Sequence, residues 1–125
     1  MAGDYQLTLT TDRPEYSALE PVEVTAEVLY KGSSTSVTKW YMGSGGPVAF
    51  DIRNIEGSQA ESSESRSPVC TSSVDLQPGV PYRQGFEPAP LHAGTWEISA
   101  DVNLGDRERC QGDVVLRATK RITVR

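Results

Sequence analysis

Histidine occurs once in this chain, at His92, and that scarcity removes most acid–base chemistry near neutral pH. Cysteine occurs twice, at Cys70 and Cys110, in no CxxC arrangement, so neither a zinc site nor a dithiol redox centre is expected. No Gly-x-Ser-x-Gly elbow is present; Gly43-Ser44-Gly45 is a flexible turn, and a serine triad would have to recruit the one histidine from a Pro-rich loop. No apolar run approaches the roughly 18 residues needed to span a bilayer as a helix, so membrane insertion is not expected. Basic runs interleaved with aromatics are also missing. With a net charge of −5, from 12 Lys+Arg against 17 Asp+Glu, the chain should repel phosphate backbones, which argues against nucleic acid as a partner. Glycosylation sequons are absent, since Asn54-Ile55-Glu56 and Asn103-Leu104-Gly105 both fail the pattern. Met1-Ala2-Gly3-Asp4 lacks a signal-peptide core. It reads as a disordered start, or one placed ahead of an excised domain, with a whole small cytoplasmic protein as the rival. We therefore expect no enzyme and no cofactor.

What is present is alternation. A length of 125 residues fits a single domain, here 1–125, and 11 Gly with 8 Pro punctuate it often enough for short strands and turns. In Pro21–Tyr30 the residues Val22, Val24, Ala26, Val28 and Tyr30 share one parity. Trp96, Ile98, Ala100, Val102 and Leu104 do the same in Thr95–Leu104. Tyr5–Thr11, Gly46–Arg53 and Asp113–Val124 follow the same period, with Lys120 the one charged residue in the inward phase of the last. Thr35–Met42 is ambiguous, because Val37 and Tyr41 fall on one parity and Trp40 and Met42 on the other. Turn signals separate the runs at Asp12-Arg13-Pro14, Lys31-Gly32-Ser33, Pro78-Gly79 and Leu104-Gly105-Asp106. Glu56–Ser67 is rich in Ser and Glu without apolar period, and is expected to be a long mobile loop.

Cys70 shares parity with Val74 and Leu76, and Cys110 with Val114 and Leu116, so both point inward as bridge partners or inert buried thiols. We expect the bridge, with Cα atoms under about 7 Å apart. It would close about 41 residues and contribute about 4 kcal/mol in the chain-entropy model. Asp101, Asn103, Asp106 and Glu108 are the one weak calcium constellation, and they are equally the ordinary solvated face of an alternating strand. Glu61 and Glu64 have no apolar neighbours to shift their acidity. Tyr16, Tyr41, Tyr82 and Phe86 lie beside Gly- and Ser-rich turns, as contact residues or as caps on the ends of a core.

Two stretches carry a family resemblance. Thr10-Thr11-Asp12-Arg13-Pro14-Glu15-Tyr16 with Glu20-Pro21-Val22-Glu23-Val24 resembles the opening strands of bacterial immunoglobulin-like and macroglobulin-type domains. Val74-Asp75-Leu76-Gln77-Pro78-Gly79, then Phe86, then Ala93-Gly94-Thr95-Trp96-Glu97-Ile98 resembles a run found in such sandwiches, including the intracellular proteinase inhibitor family. Ala18-Leu19 replaces the usual glycine, Trp96 stands for a tyrosine, and Ile98 occupies the position of the antibody-type cysteine. The antibody-type bridge and tyrosine corner are thus not expected. Alternation and resemblance together predict an all-β, immunoglobulin-like, two-sheet antiparallel sandwich of seven or eight strands. The function expected is a non-enzymatic protein-interaction or structural module with a protein partner, extracytoplasmic or at the bacterial cell surface. The alternative is a proteinase inhibitor presenting a loop.

Overall fold

A computed structural model describes residues 4–32, 35–42, 46–55, 59–62, 70 and 72–125. The strands are β1 (Tyr5–Thr11), β2 (Glu15–Tyr16), β3 (Val24–Tyr30), β4 (Val37–Tyr41), β5 (Val48–Asn54), β6 (Gln59–Ser62), β7 (Ser72–Leu76), β8 (Tyr82–Phe86), β9 (Gly94–Leu104) and β10 (Val114–Val124). Two layers form, one ordered β1-β3-β8 and the other β2-β10-β9-β5-β6. The parity that alternates in sequence is the parity that faces the core. Val24, Ala26, Val28 and Tyr30 of β3 are buried against Trp96, Ile98, Ala100, Val102 and Leu104 of β9. Every strand pairing is antiparallel except that of β2 with β10. The chain is an all-β sandwich.

The strands among the described residues number ten rather than seven or eight, because two segments are too short for periodicity to register. β2 has two residues, and β6 has four, inside the segment expected to be loop. β6 is laddered to β5, with a register shift between Ile52 and Arg53, and a ladder of main-chain bonds needs no apolar period. The rest of Glu56–Ser67 lies outside the described residues. The ambiguous Thr35–Met42 became β4, which forms a ribbon with β7; Val74 and Leu76 of β7 join the core, and Val37 and Tyr41 of β4 pack against it. That ribbon is tied to one layer by reciprocal backbone bonds between Trp40 and Gly105, at 2.9 and 3.0 Å. The Gly79 N–H ties it to the other through the Tyr30 carbonyl, at 2.9 Å.

Between β1 and β2 the chain crosses from one layer to the other, and the Asp12-Arg13-Pro14 turn is held by side chains. The Tyr16 hydroxyl donates to Asp12 Oδ1 and accepts from the Arg13 N–H at 3.0 Å. Asp12 Oδ1 also accepts the Glu23 N–H at 3.1 Å. Tyr16 is 2% exposed, so its ring is core and its hydroxyl is the pin of the crossing. Farther along, Leu19 stands at φ 68°, a left-handed conformation that costs a branched side chain about 1–2 kcal/mol. This is where the resembling domains place glycine, and the Leu19 N–H bond to the Leu91 carbonyl at 2.9 Å holds it there.

The Tyr16 hydrogen bond is the first-ranked reason that Asp12 ionises below the usual carboxylate range. A depressed acid contributes stability above its ordinary pKa and loses it as pH falls through the folded value. Tyr16→Phe is therefore expected to cost about 1–2 kcal/mol at about pH 7, with the gap to wild type shrinking below about pH 4. Urea unfolding at both pH values measures it, and an equal gap at both would show that Asp12 is not involved.

Candidate functional site

Strand polarity gathers one end of the sandwich from the starts of β1, β8 and β10 and the ends of β3 and β9. Tyr5 and Tyr30, opposite each other in the ladder, stack with ring centroids 5.1 Å apart. Tyr82 opens β8, and burial, followed by the neighbouring Tyr41, pushes its phenol above the ordinary tyrosine range. Burial does the same to Tyr5, reinforced by Tyr30, Asp4 and Asp113. These phenols stay neutral across the physiological range and act as hydrogen-bonding apolar surface. Trp40 is half-buried in β4, and the Arg107 guanidinium lies over its ring at 5.4 Å from the centroid. Lys39 pairs with Asp113 at 3.5 Å.

The turn that carries Arg107 is built tightly. Asp106 Oδ1 accepts the N–H groups of Glu108 at 3.0 Å and Arg109 at 2.8 Å, and the Cys110 N–H returns to the Asp106 carbonyl at 2.8 Å. The Gly112 N–H bonds Asn103 Oδ1 at 2.7 Å. Cys110 is buried and bridged to Cys70, with Cα atoms 5.6 Å apart across a sequence separation of 40. The expected pairing is present, although Cys70 is half-buried ahead of β7 and Cys110 lies in a turn ahead of β10 rather than in a strand. A cross-link between the approach to β7 and the β9–β10 connection fixes the turn against the β4–β7 ribbon.

The calcium quartet is not assembled. Asp101 pairs with Arg117 at 3.3 Å on the outer face of β9, while Asn103 and Asp106 are used inside the turn. Among the described residues no group of three His, Cys, Asp or Glu side chains is placed to hold a metal ion. The reason is the period of a strand, which spreads alternate residues along one face, followed by a turn that uses Asn103 Oδ1 and Asp106 Oδ1 for backbone N–H groups. Of the four aromatics singled out by sequence, Tyr41 and Tyr82 lie half-buried at this end. Tyr16 is instead a buried pin, and Phe86 stacks on core Phe50 at 5.0 Å with an interplanar angle of 8°. His92 is exposed, and its carbonyl accepts the Trp96 indole N–H at 2.9 Å. The contact of Arg107 with Trp40 was not anticipated, although Trp40 in Thr35–Met42 already stood on the other parity from Val37 and Tyr41. Glu61 belongs to β6, and Glu64 lies outside the described residues.

No family model and no curated protein sequence matches the chain. Solved structures do. Spo0M, a sporulation control protein from Bacillus subtilis, superposes with a TM-score of 0.61 at 16% identity over 98% of this chain. This chain spans about half of that protein, 49% of its length. The structural-genomics target SoR45 gives a TM-score of 0.60 at 11% identity, covering 99% of this chain and 89% of that one. The CARDB domain of the PF1109 protein from Pyrococcus furiosus, solved in complex with di-metal ions, gives 0.53 at 14% identity, covering 97% and 87%. At such identities the likeness is one of fold, a sandwich shared across different proteins.

Proposed function

We propose that the chain is a non-enzymatic, immunoglobulin-like interaction module of a bacterial extracytoplasmic or surface protein. Its contacts to a protein partner come from the disulfide-clamped end. The observation that carries this reading is the Cys70–Cys110 bridge, which holds the Arg107 turn against Trp40 beside half-buried Tyr41 and Tyr82. Tryptophan, tyrosine and arginine supply the anchors of protein interfaces, because they bury large area at small entropic cost. A turn pre-ordered by a cross-link loses less freedom on binding than a mobile loop does. A bridge of this kind also persists outside the reducing cytosol, which supports the extracytoplasmic setting.

The test is retention of a protein partner by the immobilised domain from extracytoplasmic fractions of the source cell. Trp40→Ala should weaken retention by at least about ten-fold, with the exposed Leu19→Ala as an unaffected control. Thermal melts show whether both variants stay folded. Retention that ignores Trp40→Ala would move the contacts elsewhere, turnover of a substrate would overturn the reading, and stoichiometric block of a serine proteinase would support the inhibitor alternative.

A further inference from the structure

A sheet's hydrogen bonds run out at its edges. β10 pairs with β9 along its whole length, Val114–Val124, but on its other side β2 reaches only Thr123 and Val124. There the Thr123 N–H bonds the Pro14 carbonyl at 3.5 Å and the Arg125 N–H bonds that of Tyr16 at 2.8 Å. Odd-numbered residues thus aim their peptide groups away from β9. In an unbroken antiparallel register the same holds for Val115, Arg117, Thr119 and Arg121. No described strand pairs with them.

The side chains on this flank are also incompletely covered. Leu7 and Leu9 of β1, and Leu116, Ala118 and Lys120 of β10, take the inward parity yet are only half-buried. On the opposite flank the Gln84 side chain of β8 bonds the backbone of Val48 in β5 and so links the two layers.

We propose that the β10 edge takes an extended, acidic segment of a partner protein by strand addition along Val115–Arg121. Its alternate apolar side chains would cover Leu116, Ala118, Leu7 and Leu9, and a carboxylate would face Lys120. Charge selects this occupant. Val114–Arg125 contains Arg117, Lys120, Arg121 and Arg125 and no acid, in a chain whose net charge is −5. Three of those cations pair with carboxylates: Arg117 with Asp101, Arg121 with Glu97 and Arg125 with Glu15. Lys120 has no ion pair among the described residues. A lysine in the inward phase of an edge strand repels apolar and basic strands, so the edge stays open to an acidic one. A second copy is disfavoured for the same reason. Antiparallel pairing of two β10 strands centred on Thr119 sets Arg117 of each copy opposite Arg121 of the other.

The inference rests on the reading of the chain as an interaction module and adds a surface distinct from the clamped end. Two capped peptides of about eight residues test it, both with threonine at the outward positions and valine at the inward positions that meet Leu116 and Ala118, one with aspartate and the other with lysine at the inward position that meets Lys120. In the free protein the amides of Arg117, Thr119 and Arg121 should exchange rapidly with deuterium. The acidic peptide should slow them at least about ten-fold, and the basic peptide should not. Thr119→Pro removes an N–H aimed away from β9 and should abolish the protection without altering the fold. Lys120→Glu, a second variant that leaves the backbone untouched, should reverse the preference towards the lysine peptide. Equal binding of both peptides, or no saturable binding up to about 1 mM, would overturn the edge site. Protection confined to Trp40 and the Arg107 turn would also overturn it, while leaving the module reading in place.

Discussion

Cys70→Ala/Cys110→Ala is expected to unfold roughly 15 °C below wild type. The two residues lie 40 apart in sequence, so the bridge removes the freedom of a long loop from the unfolded chain. The chain-entropy model puts that at about 4 kcal/mol. Spread over an unfolding entropy typical of a chain this size, it gives the expected shift. Alanine at 110 adds to the loss, because Cys110 is 1% exposed and sits at φ 50°, a left-handed conformation stabilised by little besides the bridge and the Asp106 carbonyl. The same change should loosen the Arg107 turn. Trp40 fluorescence should then become more accessible to an anionic quencher before global unfolding begins. Thermal melts with and without reductant, compared with the double alanine variant, measure both effects. A shift smaller than about 3 °C would mean that the Asp106 and Asn103 hydrogen bonds hold the turn without the cross-link.

What the sequence made legible follows from how many residues repeat a signal. β3 and β9 announced themselves because four and five apolar residues in phase leave no room for another period, and those residues are part of the core. The bridge was legible for a related reason, since each cysteine shares phase with neighbouring core residues. β2 and β6 were not, because two or four residues joined through backbone atoms leave no trace in side-chain pattern. Single side chains with two jobs were harder still. Tyr16 was read as an aromatic beside a turn, whereas its value lies in a hydroxyl placed against Asp12 and Arg13, a contact set by the crossing between layers. Phe86 was weighed as a contact residue or an end cap, and it packs half-buried against Phe50. The clamped end assembles Trp40, Arg107 and Cys110 from parts of the chain that no local window spans. Lys120, by contrast, was conspicuous in sequence as a charge in an apolar phase. The role proposed for it rests on an edge of β10 that β2 pairs with only at Thr123 and Val124.

Gln84→Leu is expected to destabilise the domain by about 2–3 kcal/mol, although Gln84 occupies an inward position flanked by Tyr82 and Phe86 where an apolar residue would look at home. Its amide acts as a substitute strand. Oε1 accepts the Val48 N–H at 3.1 Å and Nε2 donates to the Val48 carbonyl at 2.8 Å, beyond the reach of β6. Val48 is 2% exposed, so leucine at 84 would leave two backbone groups without partners in a place water enters poorly. A buried unpaired donor or acceptor costs about 1–3 kcal/mol, and the half-buried setting of Gln84 keeps the pair towards the lower figures. Glutamate at 84 discriminates shape from hydrogen bonding. Its ionised carboxylate can accept from the Val48 N–H but repels the Val48 carbonyl, so folding should raise its pKa. Stability would then be lower at neutral pH and recover as pH falls through the carboxyl range, where the protonated acid regains a donor. Leucine would show no such recovery. Gly46 supplies an independent check, since a Cβ there would lie 2.3 Å from Gln84 Oε1, on a backbone with φ 104°. Gly46→Ala should therefore displace the amide and lower stability in the same sense. Urea unfolding of the three variants at about pH 7 and about pH 4 tests the whole account. A leucine variant within about 0.5 kcal/mol of wild type would show that water replaces the amide at no cost.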